Sequence, residues 1–205
     1  MPRRKLTRSE AKLATRAALI AAGLAEFHGD GLDVSLDAIC ERAGVTRGAF
    51  YVHFADRDAF IVAVMEQVLG GFVAALTALT SQPGGVARLI AMYFEAVRTR
   101  APAVTGGSGL RMQHLMEACR RSPKVGAAYR GLVLEGRDRV AEGLAIDQRA
   151  GRVRDDVDAP ALADLDVVLA LGIASLHELE VPVDVAGVGR TLLALTTSTL
   201  TSTST

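Results

Sequence analysis

The sequence predicts an all-α protein in two parts: an N-terminal three-helix, helix-turn-helix DNA-binding domain over residues 1–55, and a C-terminal helical bundle over residues 56–205. Three observations predict it. Apolar residues recur at three- and four-residue spacing along nearly the whole chain, and no alternating run competes with them. The helical runs open on capping residues and close on glycine or proline. Hydrophobic residues make up 50% of the 205, with a mean hydropathy of +0.27, so a substantial core can form.

The elements follow in order. Thr7-Arg8-Ser9-Glu10 is a capping box, and Leu13, Ala17, Ile20, Leu24 and Phe27 then form a helical stripe until Gly29-Asp30-Gly31 ends the run. Residues 35–54, SLDAICERAGVTRGAFYVHF, read as two short helices about a glycine turn. Ser35 N-caps the first, Asp37 adds a negative charge to its first turn, and Leu36, Ile39, Cys40 and Ala43 are its apolar stripe. Gly44 makes the turn, Val45 fills the space between the helices, and Thr46 caps the second, whose Phe50 is paired inward with Phe54.

Asp56 caps a long fourth helix with Phe60, Val64, Val68, Phe72, Ala75 and Leu79 on one side, closed by Pro83-Gly84-Gly85. Further helices run from Val86 to about Arg98, from Leu110 to Arg121 and from Pro123 to about Ala150. Asp158-Ala159-Pro160 opens the next, through Leu162, Leu165, Val168, Leu169, Gly172, Ile173 and Leu176. The last follows Asp184 through Val185, Val188, Leu192 and Leu195. Ala101 to Gly109 reads as a loop, and Thr196 to Thr205 as a fraying tail.

The second motif helix leaves Arg47, Gly48, Tyr51 and Val52 facing out. That set suits DNA. An Arg at the start of a helix reaches a phosphate or the acceptor edge of guanine, and Gly48 and Ala49 keep the helix slim enough to approach the bases. Tyr51 and His53 offer donors at phosphate height, and the free N–H groups behind Thr46 form an anion site. The plainer alternative is a helical hairpin in which Tyr51 and His53 only cover a core edge. The N-terminus adds an electrostatic argument. Arg3, Arg4, Lys5, Arg8, Lys12 and Arg16 face one acid, Glu10, over the first sixteen residues, although the whole chain balances at 23 basic and 23 acidic residues. A basic Pro2-Arg3-Arg4-Lys5 arm can track phosphate or enter the minor groove.

The segment from about Lys12 to about Met65 closely resembles the N-terminal domain of the TetR family of bacterial transcriptional regulators. The resemblance rests on the long first helix, the glycine-bearing loop, and the alternation Val34-Ser35-Leu36-Asp37-Ala38-Ile39. It continues through the run Ala43-Gly44-Val45-Thr46-Arg47-Gly48-Ala49-Phe50-Tyr51 and through His53-Phe54 followed by Asp56-Arg57. It implies that Ser35, Tyr51, His53 and Arg57 hold backbone phosphates and that Thr46, Arg47, Gly48, Ala49 and Val52 face the groove. Two positions depart from the pattern. Asp37 stands where many members have a basic or small residue, and Val52 replaces a larger aromatic or polar one.

A recognition helix needs a two-fold partner to read both halves of a palindromic double-stranded operator, about 34–36 Å apart. The last two helices carry small residues along apolar stripes, Ala170, Gly172 and Ala174 in one and Ala186, Gly187, Gly189 and Ala194 in the other. Such a pair can bury itself within one chain or form a four-helix interface with its copy; the resemblance implies the second, so a homodimer through these helices is expected. It implies too that an unidentified small-molecule effector enters the middle helices, with Phe72, Met92, Tyr93, Met112, His114, Met116 and Tyr129 as candidate lining residues, although most of them, taken singly, read better as ordinary core.

Other chemistries find little support. Cys40 and Cys119 have neither metal nor disulfide spacing; His114 with Glu117 supplies two ligands, too few to specify a metal, and these residues, like His177 with Glu178 and Glu180, read better as solvated or hydrogen-bonded side chains. Gly106-Gly107-Ser108-Gly109 lacks the Lys-Ser/Thr ending of a phosphate loop, and no G-x-S-x-G or H-E-x-x-H occurs. No catalytic set and no cofactor is indicated. The most apolar stretch, Val167 to Leu176, is shorter than a bilayer needs, and no signal peptide is visible, so the expectation is a cytoplasmic protein with no membrane partner. Two classes therefore stand: a ligand-responsive transcriptional regulator, expected to be a repressor, and a helical small-molecule-binding or enzymatic protein whose motif serves packing.

Overall fold

The computed structural model describes residues 7–98 and 111–197, excepting the side chains of 28–30 and 96–98. The Pro2-Arg3-Arg4-Lys5 arm, the loop from Ala101 to Gly109 and most of the Thr/Ser tail lie outside the described residues. Among those described there are nine α-helices: α1 Arg8–Asp30, α2 Leu36–Ala43, α3 Arg47–His53, α4 Arg57–Thr80, α5 Gly85–Arg98, α6 Met112–Arg121, α7 Pro123–Arg149, α8 Ala159–Glu178 and α9 Val185–Thr196. The all-α class holds.

The start signals act as the sequence predicts. Thr7 accepts from the Glu10 amide while the Glu10 carboxylate accepts from Thr7, completing the capping box. Ser35, Thr46, Asp56, Asp158 and Asp184 accept from the amides of Ala38, Ala49, Ala59, Ala161 and Gly187. Two features escaped the sequence. A 3-10 turn, Gly31–Asp33, follows α1, and one isolated antiparallel bridge joins Val153 to Thr197.

The chain divides into two compact units, one of residues 1–68 with 108–129, the other of residues 69–107 with 130–205. This division is drawn differently from the boundary expected at residue 55. Polar contacts tie α6 and the start of α7 to the N-terminal helices. Arg121 donates to Asp33 at 2.7 Å, Ser122 to Asp58 at 2.6 Å, and Lys124 pairs with Asp56 at 3.2 Å.

The first unit is centred on phenylalanines. Phe27, Phe50 and Phe60 are fully buried and Phe54 nearly so, with the Phe60 ring 5.0–6.0 Å from the other three. Leu13 and Ala17, expected in the α1 stripe, are exposed instead. Burial on α1 begins at Leu19 and Ile20, since the first turns of the helix run beyond the core.

The second unit is centred on aliphatic residues, among them Leu76, Val86, Ile90, Val140, Leu144, Leu162, Ile173 and Leu192, with Phe94. Phe94 lies against Gly189, where a Cβ would come within 2.8 Å of the ring, so this small residue serves packing inside the chain. Buried Asp147 accepts from the Gly84 amide at 2.9 Å and pairs with Arg152 at 2.8 Å.

The α4 stripe also differs from expectation. Phe60, Val64 and Val68 are buried, but the inward set then shifts to Val73, Leu76 and Thr80, leaving Phe72 and Ala75 exposed. One continuous helix contributes to two cores, so no single period describes it. The expectation on apolar length is corrected as well: α4 and α8, with mean hydropathy 2.0 and 1.7 over 18 residues, are long and apolar enough to cross a bilayer by length and composition. On α4 much of that character faces a core, and on α8 much of it faces outward.

Candidate nucleic-acid interface

The first described unit presents the motif as a rigid wedge. Gly44 ends α2 in the left-handed region, at φ 67°, where its amide reaches the carbonyls of Cys40 and Glu41, and the chain turns directly into α3. Ile39 and Cys40 on α2 and Phe50 on α3 are buried. Arg42 of α2 pairs with Glu26 of α1. Burial, with the Asp37 charge second, pushes the Cys40 thiol up, so it behaves as a small hydrophobe.

With Phe50 held inside, the opposite face of α3 is forced into solvent. Thr46, Arg47, Gly48, Tyr51 and Val52 are exposed, Tyr51 by 57% and Val52 by 66%, while Ala49 and His53 are half-buried. Nothing stands near the position a Gly48 side chain would take except Thr46, so backbone is open to close approach there. The Tyr51 ring meets Phe50 edge-on at 5.4 Å, which fixes the phenol's direction. Ser35 is exposed at the N-terminus of α2.

Three residues around this face make contacts of their own within the fold. Arg57 is half-buried and its guanidinium donates to the carbonyls of Leu32 and Val34, bracing the connection between α1 and α2. His53 has a buried Nδ1 without a partner among the described residues. Burial, followed by the positive charges of Lys12 and Arg16, pushes its pKa below the ordinary value of 6.5. The imidazole is therefore neutral at pH 7. Asp37 is not idle: its carboxylate lies 3.2 Å from Nε of Arg47.

Sequence reasoning counted Lys12 and Arg16 only as part of a basic terminus and missed their place beside the motif. Arg16 stacks over Phe54, its guanidinium carbon 5.3 Å from the ring centre. Their one-turn spacing on α1 was the available signal.

The candidate effector residues are divided between the two units. Phe72, Met92 and Met116 are exposed. Tyr93 is half-buried in the second unit and donates to the Ala170 carbonyl at 2.7 Å; burial pushes its pKa up. Met112, His114 and Tyr129 belong to the first unit. There the Tyr129 hydroxyl, pushed up to about 12 by burial and by Cys119, lies 3.8 Å from the Met112 sulfur. His114 packs against Gly31, and its Nδ1 is buried without a partner among the described residues.

Glu117, suggested as its companion in a metal pair, is held by Arg120 and Arg121, which lower its pKa to about 2. Among the described residues no group of three or more potential metal ligands occurs. The second unit holds a separate small cleft lined by Val86, Ile90, Val140, Leu144, Leu162, Leu192, Thr196 and Asp166. Burial raises the Asp166 carboxyl to about 6.

Residues 19–64 match the model of the bacterial regulatory proteins of the tetR family. That stretch is a TetR-family N-terminal domain. Solved structures carry the same fold over nearly the whole chain. The TetR-family transcriptional regulator from Cytophaga hutchinsonii is 19% identical, with a TM-score of 0.75 over 94% of this chain and 96% of that one. The regulatory protein TetR from Rhodobacter sphaeroides is 25% identical, with a TM-score of 0.70 over 89% and 98%. SmeT, the repressor of the Stenotrophomonas maltophilia multidrug efflux pump SmeDEF, is 23% identical, with a TM-score of 0.69 over 93% and 94%. A complex of SmeT with triclosan is similar at a TM-score of 0.71, 22% identical over 91% and 93%. No curated protein sequence matches significantly. The chain thus has the fold of a TetR-family regulator.

Proposed function

We propose that this protein is a DNA-binding transcriptional regulator, a ligand-responsive repressor that holds a palindromic operator as a homodimer. The observation that carries the reading is the exposed outer face of α3, with Thr46, Arg47, Gly48, Tyr51 and Val52 open to solvent behind a locked aromatic core. A tyrosine and a valine side by side on one short helix, each more than half exposed, suit a binding face. Arg47 supplies donors to a base edge, Tyr51 and Ser35 supply hydroxyls to phosphates, and Val52 offers a methyl surface to thymine. Residues 1–55 are then the output domain and 56–205 the dimerising and effector-responsive body.

Dimerisation through α8 and α9 draws support from the outward face of α8. Leu165, Val168, Gly172, Leu176 and Leu179 are all exposed and recur at three- and four-residue steps, a seam that a second helix surface can fill. Leu195 and Ala194 of α9 are exposed as well. An effector that favours one of two conformations of the body would shift operator affinity; the complex of SmeT with triclosan is a precedent in a protein of this fold. Such a regulator works in the cytoplasm.

Fluorescence anisotropy on duplexes flanking the protein's own gene tests the central claim. Arg47→Ala and Tyr51→Ala should each weaken specific binding at least tenfold, about 1.4 kcal/mol, with helicity unchanged. If both variants bound like the parent, the DNA-reading face would be misassigned. Light scattering of Val168→Glu should show a monomer where the parent is a dimer.

A further inference from the structure

The contact between Asp37 and Arg47 links α2 to the first residue of α3 on the exposed face of the motif. Both side chains are largely open to solvent, 69% and 60%. An ion pair so exposed contributes little to folding, about 0–1 kcal/mol. Electrostatically it is also out of place: a carboxylate beside the leading arginine repels every phosphate that approaches. Helix-dipole stabilisation of α2 accounts for an acid in its first turn, but not for its engagement with Arg47.

We propose that Asp37 and Arg47 act as one base-reading unit that selects a G·C pair in a single orientation in the major groove. This rests on the DNA-binding reading above. The geometry is direct. Asp37 pairs with Arg47 at the inner nitrogen, Nε, 3.2 Å away, and the two terminal nitrogens remain to donate side by side. Guanine presents two adjacent acceptors, N7 and O6, and its paired cytosine presents the N4 amino donor next to them.

With the arginine donors over the two acceptors, the carboxylate sits on the flank of the guanidinium, and in the proposed orientation its free oxygen faces the cytosine side and accepts from N4 through one water. An A·T pair offers acceptor, donor, acceptor: it breaks the arginine match and sets thymine O4 against the carboxylate. A reversed pair puts the donor under the arginine. Asp37 is thus a positioning and specificity-determining residue. It restricts the guanidinium to one aim and opposes sequences that lack the donor, lowering affinity for DNA in general while raising discrimination.

The test uses the full-length protein and duplexes selected from a random-sequence pool, followed by anisotropy titrations of single base-pair replacements. The parent should require one oriented G·C pair per half-site, with about tenfold weaker binding when it is replaced. Asp37→Ala should retain helicity, bind random-sequence duplex several-fold more tightly, and lose most of the preference at that one pair. Arg47→Ala should lose the preference at the same pair and weaken binding. If Asp37→Ala shifts affinity equally for every duplex, or leaves the preference intact, the paired reading is wrong while DNA binding stands. If the parent enriches no sequence from the pool, the DNA-binding reading fails first and takes the inference with it.

Discussion

The two compact units are filled with different materials. In the first, four phenylalanines from α1, α3 and α4 and the turn between α3 and α4 lock together through ring contacts. In the second, a larger set of Leu, Val, Ile and Ala shares its interior with Asp166, for which no hydrogen bond or ion pair occurs among the described residues. Aromatic rings in edge-on contact have few ways to rearrange, whereas aliphatic chains around a cleft can repack at low cost. A DNA-reading face needs fixed side-chain directions. An effector-responsive body needs two packings of similar energy. The contrast in core composition therefore matches the division of labour proposed for the chain.

The largest effect should come from the ring cluster. Phe60→Ala removes the residue that touches Phe27, Phe50 and Phe54 together, and should cost about 3–5 kcal/mol in urea denaturation, abolishing DNA binding with it. Leu144→Ala in the other core should cost less, because neighbouring aliphatic chains collapse into the space. Equal costs would mean that the two cores are alike in stiffness and that the contrast is only one of composition.

Asp166 sharpens the comparison from the other side. Its carboxyl ionises at about 6 in the fold instead of the ordinary 3.8, so the folded state binds its proton more strongly than the unfolded chain does. This group's contribution to stability accordingly falls as pH rises from about 3.8 to about 6, and the loss is complete at pH 7. Asp166→Asn, which carries no charge to bury, should raise stability at pH 7 by about 1–3 kcal/mol and flatten the decline across that window. An unchanged denaturation profile would show that water reaches the carboxylate freely.

Arg57→Gln should cost about 1–3 kcal/mol in the first unit, because the Leu32 and Val34 carbonyls lose a charged donor. If Arg57 is chiefly a phosphate anchor, DNA affinity should fall much more than stability, and the two measurements separate the roles.

Most of the fold was legible because caps and breakers are local. Thr7, Ser35, Thr46, Asp56, Asp158 and Asp184 hydrogen-bond within three residues of themselves, so sequence alone exposes them. Which side of a helix turns inward was less legible where the helix outruns its core, as at Leu13, or changes core, as at Phe72. The exposed set on α3 followed from Phe50 alone. The inward engagement of Arg57 and the pairing of Asp37 with Arg47 were not readable, since each depends on side chains meeting across elements rather than along one. For effector residues the sequence offers little guidance: methionines and aromatics at helical spacing carry no mark that tells a cavity lining from an outer face.

The smallest effect concerns His53, and it tests whether the rigid unit meets phosphate. In the free protein, burial and the charges of Lys12 and Arg16 depress its pKa below 6.5, so protonation opposes folding. Stability associated with the neutral ring is present above pH 6.5 and is lost as pH falls through the lower folded value. A phosphate beside the ring acts in the opposite sense and raises the pKa. Complex formation then takes up part of a proton, and DNA affinity should improve by a few-fold between pH 7.5 and about 6, even as the free protein becomes less stable. His53→Gln should remove both trends, leaving affinity and stability flat across this window. Loss of the stability trend alone would make His53 a buried structural histidine, with the phosphate contacts falling to Tyr51 and Ser35.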